Sequence, residues 1–177
     1  MSTPPVPPCS TQRPDNPVPP SVGQNTRALL SDAQFSAVLA TVLDNNPGMD
    51  ISMGSRIVVE ALKFVAAGAR TSVGIAPSRV VDEGWHALIL HTALYQDLCA
   101  RLGGAFVHHY PERPDTGRYD HAIHERTADA IRAAGYEPDH QLWAGPEDDL
   151  VSVAAKCQHA PSCTIRPMPK PEWPAQP

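Results

Sequence analysis

The sequence predicts an all-α fold, a bundle of about four helices between proline-rich ends. Apolar residues recur at helical spacing through residues 26–150, and no segment shows the strict alternation of a half-buried strand. Proline fills eight of the first 20 positions and six of the last 17, and it lacks the amide donor that helices and sheets need. We therefore expect a disordered Pro-rich arm at 1–25, a helical domain at 26–150 and a Cys- and Pro-rich tail at 151–177.

Two helices are predicted in the first half of the domain. Ser31 and Gln34 have the spacing of a capping box, so the first helix is expected from Asp32 to Asp44. The second is expected from Ser52 to Ala67, with Gly68 as a left-handed stop.

The third predicted helix, Arg79 to Leu102, is the central one. Ser78 is its expected N-cap, and the glycine pair after Leu102 ends it. Its apolar side chains recur at alternating spacings of four and three, the seam of a packed helix: Val81, Trp85, Leu88, Thr92, Tyr95, Cys99 and Leu102. A fourth helix is expected from Asp120 to Ala134.

The charge distribution limits the partners. The net charge is −5, and residues 28–155 carry nine Lys/Arg against 17 Asp/Glu, a net −8. An acidic domain repels a phosphate backbone, so no nucleic-acid binding is expected. No apolar run is long enough to span a membrane and no secretory leader opens the chain, so a soluble cytoplasmic protein is expected. There the four cysteines are expected as thiols or ligands rather than disulfides.

The residues that bear chemistry concentrate between Pro77 and Pro111, which hold four of the eight histidines. Asp82 and His86 are four apart, hence neighbours on a helix. The carboxylate can fix the imidazole tautomer, as around a metal ligand or a general base, so these two are the candidate catalytic residues. The alternative is a structural hydrogen bond that locks the start of the helix.

Further candidate ligands come from both sides of the double glycine. His91 lies about 140° around the helix from His86, so the two do not form a same-face chelate. An extended 103–109 segment spans about 23 Å, against about 16 Å back along the helix to His91, so His108 or His109 reaches His91 or approaches His86. In a strand only one of these two faces the helix.

The complete set of candidate metal ligands, for zinc or iron, is His86, His91, His108, His109 and Cys99, with Asp82 as an additional carboxylate. Cys99 has a second interpretation as a small buried hydrophobe of the seam. A weaker cluster in the tail offers two thiols and an imidazole within seven residues: Cys157, His159 and Cys163.

The central segment resembles the glycine-rich domain-containing protein-like family, in its bacterial form. The resemblance covers about residues 64–143, where members share a V-D-x-x-W-H-x-H-x-L signature, a Tyr, a Cys, a Gly-Phe and a His-rich turn. The matching residues are Val81, Asp82, Trp85, His86, Leu90, Tyr95, Cys99, Phe106, His108 and His109. The second histidine of the signature is Leu88 here, and the glycine-rich region of the plant members is absent. The resemblance therefore implies a fold rather than an activity.

Two classes of function remain. The first, which the sequence favours, is a non-catalytic interaction or accessory module with a His-lined polar site on its central helix, in which the Pro-rich arms present polyproline II segments to a protein partner. The second is a metal-dependent enzyme that uses Asp82, His86, His91 and His109. The sequence indicates neither a substrate nor an oligomeric state.

Overall fold

The computed structural model describes residues 25–103, 106–110, 120 and 122–143. This part is all helical, as predicted, and contains no strand. The expected Pro-rich arm and the Cys- and Pro-rich tail lie outside the described residues. The five α-helices are α1 (Asp32–Asn45), α2 (Ile51–Gly68), α3 (Arg79–Leu90), α4 (Thr92–Leu102) and α5 (Ile123–Ala133), with short 3-10 helices at Thr26–Leu29 and His140–Trp143.

The first two helices begin close to where the sequence places them. The capping box of α1 forms in both directions, between Ser31 and Gln34, and the Asp50 side chain caps α2. The expectation for Gly68 is wrong. It is the last helical residue of α2 and is buried, whereas the positive φ angles belong to Gly48, Gly103 and Gly135.

The predicted third helix is two helices. His91 interrupts it with φ −85° and ψ 63°, which serves as the C-cap of α3 and the N-cap of α4. The seam residues keep their buried positions across this break except Thr92, which is exposed. The periodicity therefore identified the buried face correctly but did not reveal the change of direction at His91.

The centre of the bundle is the contact between α2 and α3, which approach closely at Gly84. A Cβ atom there would lie 2.8 Å from the Ile57 carbonyl oxygen and 2.9 Å from the Ala61 Cβ. Around this contact the core side chains are almost fully buried, including Phe64 and Trp85, whose rings meet edge-on at 4.9 Å. The close approach holds α3 rigidly against the core.

The C-terminal described segment closes the bundle over α2. The buried Glu60 carboxylate accepts hydrogen bonds from the Trp143 indole N–H at 2.7 Å and the Asp139 amide at 3.0 Å, and it pairs with Lys63 at 2.8 Å. Ser78 also donates a hydrogen bond to the Leu142 carbonyl. These bonds fix both α2 and the N-terminus of α3, which carries the candidate site.

No helix in the described ranges combines the length and apolar character that a membrane crossing requires.

Candidate metal centre

Three polar side chains converge where the 106–110 segment crosses α3. The Nε2 atom of His109 lies 2.9 Å from Asp82 Oδ1 and 3.0 Å from the Nε2 atom of His86. His86 Nε2 lies 3.4 Å from the other Asp82 oxygen, Oδ2. One nitrogen of each imidazole and the carboxylate thus face a common point, and they form the group with metal-ligand spacing in the described part of the chain.

Two elements supply these donors. Asp82 lies in the first turn of α3, where the helix dipole favours a negative charge, and His86 follows one turn later on the same face. His109 arrives from the 106–110 segment, whose chain returns from the end of α4. Of the two adjacent histidines, His109 faces α3, as the alternation of an extended segment requires.

The exposed fraction of the three side chains increases from Asp82 to His109 to His86. The Asp82 side chain is 0% exposed, His109 is 8% exposed and His86 is 32% exposed. The His109 ring packs between the Trp85 ring, at 4.5 Å between centroids, and the His86 ring, at 4.6 Å. The Asp82 carboxylate is therefore the innermost group of the site. The Trp85 ring packs against His109, and His86 is the group that solvent reaches.

The donor spacing suits a transition-metal ion. Two ligands at about 2.1 Å from an ion are about 3.0 Å apart at a right angle and about 3.4 Å apart at a tetrahedral angle, by trigonometry on ordinary metal–nitrogen bonds. Two of the separations, 3.0 and 3.4 Å, lie in this range, and the third, 2.9 Å, is 0.1 Å below it. Two imidazoles and one carboxylate are a ligand set found in zinc and non-haem iron sites.

The structure places the other predicted histidines away from this group. His91 is at the break between α3 and α4, where its Nε2 atom lies 2.9 Å from the Thr41 hydroxyl of α1. His108 faces the opposite way from His109, and its ring packs against Phe106 and Tyr110. Neither belongs to the converging group, because the helix break turns His91 towards α1 and the extended backbone turns His108 outwards.

Cys99 lies in the core and not with the converging donors. It is 1% exposed, and burial raises the pKa of its thiol, which disfavours the thiolate form that binds metals. This placement favours the second interpretation of the sequence, a small buried side chain of the seam. The weaker cluster of Cys157, His159 and Cys163 lies outside the described residues.

The sequence did not reveal a hydrogen-bond chain next to the site. The Trp85 indole N–H donates to the Tyr95 hydroxyl at 2.9 Å, and that hydroxyl donates to the Val107 carbonyl at 2.6 Å. The only signal was the place of Trp85, Tyr95 and Cys99 on one apolar seam. The Val107 carbonyl could not be singled out from the sequence, because every residue has a backbone carbonyl.

His124 of α5 lies outside the converging group. It is partly buried, its ring meets Trp143 at 6.4 Å, and burial lowers its pKa.

Comparison with known proteins gives one family. A family model described as UCP032817-like matches residues 25–121, more than half of the chain. The resemblance to the glycine-rich domain-containing protein-like family is therefore wrong, since the family model that matches is a different one. No curated protein and no solved structure matches the chain.

Proposed function

The chain belongs to the UCP032817-like family, and we propose that it binds one divalent transition-metal ion, zinc or iron, through Asp82, His86 and His109. The observation that carries the proposal is the 3.0 Å separation of the two imidazole Nε2 atoms beside a buried carboxylate. Imidazole nitrogens and carboxylate oxygens are both donor atoms that zinc and iron bind in proteins.

Proton counting supports a cation at this point. A neutral imidazole carries a single N–H, yet His109 Nε2 lies at hydrogen-bond distance from both the Asp82 carboxylate and His86 Nε2. If His109 donates to Asp82, its hydrogen is not available to His86. If His86 donates to His109, a lone pair of His109 faces the carboxylate. A metal ion between the three residues removes this conflict, because it accepts a lone pair from each of them.

The buried carboxylate gives independent support. Asp82 Oδ2 is buried and accepts no hydrogen bond of good geometry; its polar neighbour is His86 Nε2 at 3.4 Å, and a buried charged oxygen so weakly satisfied is costly. A bound cation would compensate this oxygen directly. The partial exposure of His86 supplies the entry path that a metal site requires.

Three protein ligands favour a reactive site over a purely structural one. Structural zinc sites have four protein ligands, whereas catalytic sites keep a position for water or substrate. The metal-dependent enzyme, which the sequence offered as the alternative, is thus the function that the geometry supports best, with His91 removed from its ligand set. The non-catalytic interaction module stays a prediction, because the arms that carry it lie outside the described residues.

The test is a titration of the untagged protein with Co²⁺, whose visible absorption reports its ligands. We expect one equivalent to bind, and we expect His86→Ala and His109→Ala each to weaken binding at least tenfold. His91→Ala and His108→Ala are the matched controls and should bind like the wild type. Wild-type protein that binds no Co²⁺, or binding that depends on His91 or His108 instead, would overturn the proposal.

A further inference from the structure

Tyr95, Trp85 and Cys99 form a polar cluster in the core, here called the clamp, which contacts the 106–110 segment that carries His109. Tyr95, one turn before Cys99 on α4, is 1% exposed, and its hydroxyl accepts from Trp85 of α3 and donates to the Val107 carbonyl. The Cys99 thiol lies next to the backbone of Val107 and the hydroxyl of Tyr95. Two residues one turn apart on α4 therefore contact Val107.

The position of Val107 sets the direction in which the His109 side chain faces. In an extended segment, residues two apart lie on the same side. Val107 is 1% exposed and the His109 side chain 8%, whereas Phe106 is 44% exposed and its ring packs against that of His108. A slip of one residue would exchange the two sides and would present His108 to α3 in place of His109.

We propose that Tyr95 is a positioning residue which, with Trp85 and Cys99, fixes the register of residues 106–110 and so selects His109 over His108 as the ligand. This inference rests on the proposed metal site. It also assigns a role to the Trp, Tyr and Cys of the seam, which the ligand set itself does not use.

The hydrogen bonds of the clamp are buried, so the loss of one is not compensated by solvent. Tyr95, Trp85 and Val107 are all at most 1% exposed, so water does not replace a lost hydroxyl there. Removing that hydroxyl leaves the Trp85 N–H and the Val107 carbonyl without this partner. The effect should then appear first at the site, because residues that orient metal ligands change metal affinity about 10- to 100-fold when they are mutated.

The experiment compares Tyr95→Phe with the wild type by Co²⁺ titration and by urea unfolding of the metal-free protein. We expect the variant to fold, to bind Co²⁺ about 10- to 100-fold more weakly, and to show an altered Co²⁺ absorption spectrum. Tyr136→Phe, at a buried tyrosine of the C-terminal segment, is the matched control and should leave both affinity and spectrum unchanged.

A second pair of variants covers the case in which Tyr95→Phe does not fold. Cys99→Ser keeps a hydrogen-bonding group and should retain the affinity, whereas Cys99→Ala should lose part of it. Folded Tyr95→Phe with wild-type affinity and spectrum overturns the inference, and so does equal affinity of the two Cys99 variants. If the wild type itself binds no Co²⁺, the metal site fails first, so the two failures are distinguishable.

Discussion

The His91 imidazole contacts the Thr41 hydroxyl, with 2.9 Å between Nε2 and Oγ1, and this pair joins the α3–α4 break to α1. The Thr41 hydroxyl also lies 3.2 Å from the Ala37 carbonyl of its own helix. His91, a candidate metal ligand in the sequence, thus contacts another helix.

His91→Ala should therefore affect stability and not metal binding. A hydrogen bond of this kind contributes about 0.5–1.5 kcal/mol to the free energy of unfolding, and we expect a loss in that range in urea unfolding of the metal-free protein. Thr41→Val should cost a similar amount, and the double variant should cost less than the two losses combined. Strictly additive losses would show that the two side chains do not interact.

Asp82→Asn should separate metal binding from folding. The amide keeps the shape of the carboxylate but removes the buried charge, so Co²⁺ affinity should fall at least tenfold while the metal-free protein keeps its thermal midpoint or gains a little. The measurement is the thermal midpoint with and without Co²⁺. A metal-free variant that is much less stable than the wild type would favour the structural hydrogen bond as the main role of Asp82.

Gly84→Ala should destabilise the contact between α2 and α3. The added methyl group would meet the Ile57 backbone oxygen at 2.8 Å, and backbone does not move aside easily, so we expect a loss of about 1–3 kcal/mol from overpacking. Gly54→Ala is the matched control, because its near neighbours are the ends of the Leu39 and Leu43 side chains. Urea unfolding of both variants checks the order, and a Gly54→Ala loss as large as that of Gly84→Ala would contradict it.

The lowered pKa of His124 predicts a loss of stability in acid. Burial places its pKa in the folded state below that in the unfolded chain, so the unfolded chain takes up the proton first. Stability is then fully present above the unfolded pKa and is lost as the pH falls through the folded one, by at most about 1.4 kcal/mol per pH unit for one proton.

His124→Gln should accordingly flatten the decline of the unfolding free energy between pH 7.5 and 5.5. His140→Gln, at a histidine whose side chain is 67% exposed, should leave the decline unchanged. Equal slopes for wild type and His124→Gln would show that His124 does not cause the acid sensitivity.

The sequence predicted local features well and long-range geometry poorly. The capping box of Ser31 and Gln34 and the buried face of α3 and α4 follow from residues a turn apart, so periodicity and capping chemistry reveal them. The break at His91 has no such local signal, and its side chain contacts Thr41, 50 residues earlier in the chain.

The candidate site shows the same division. Asp82 and His86 are helical neighbours and could be paired from their spacing, and a returning segment was expected to bring one of two histidines. The choice of His109, and its approach to His86 rather than His91, depends on where the 106–110 segment crosses α3. That crossing is set by the Tyr95 hydroxyl on the Val107 carbonyl, an interaction between groups that have no spacing rule.

The most direct measurement of the central claim is anomalous diffraction from crystals of the full chain grown with zinc. We expect one strong peak about 2.0–2.2 Å from the Nε2 atoms of His86 and His109 and from a carboxylate oxygen of Asp82. A peak at His91, at His108 or at the Cys157–Cys163 cluster, with none at Asp82, would contradict it.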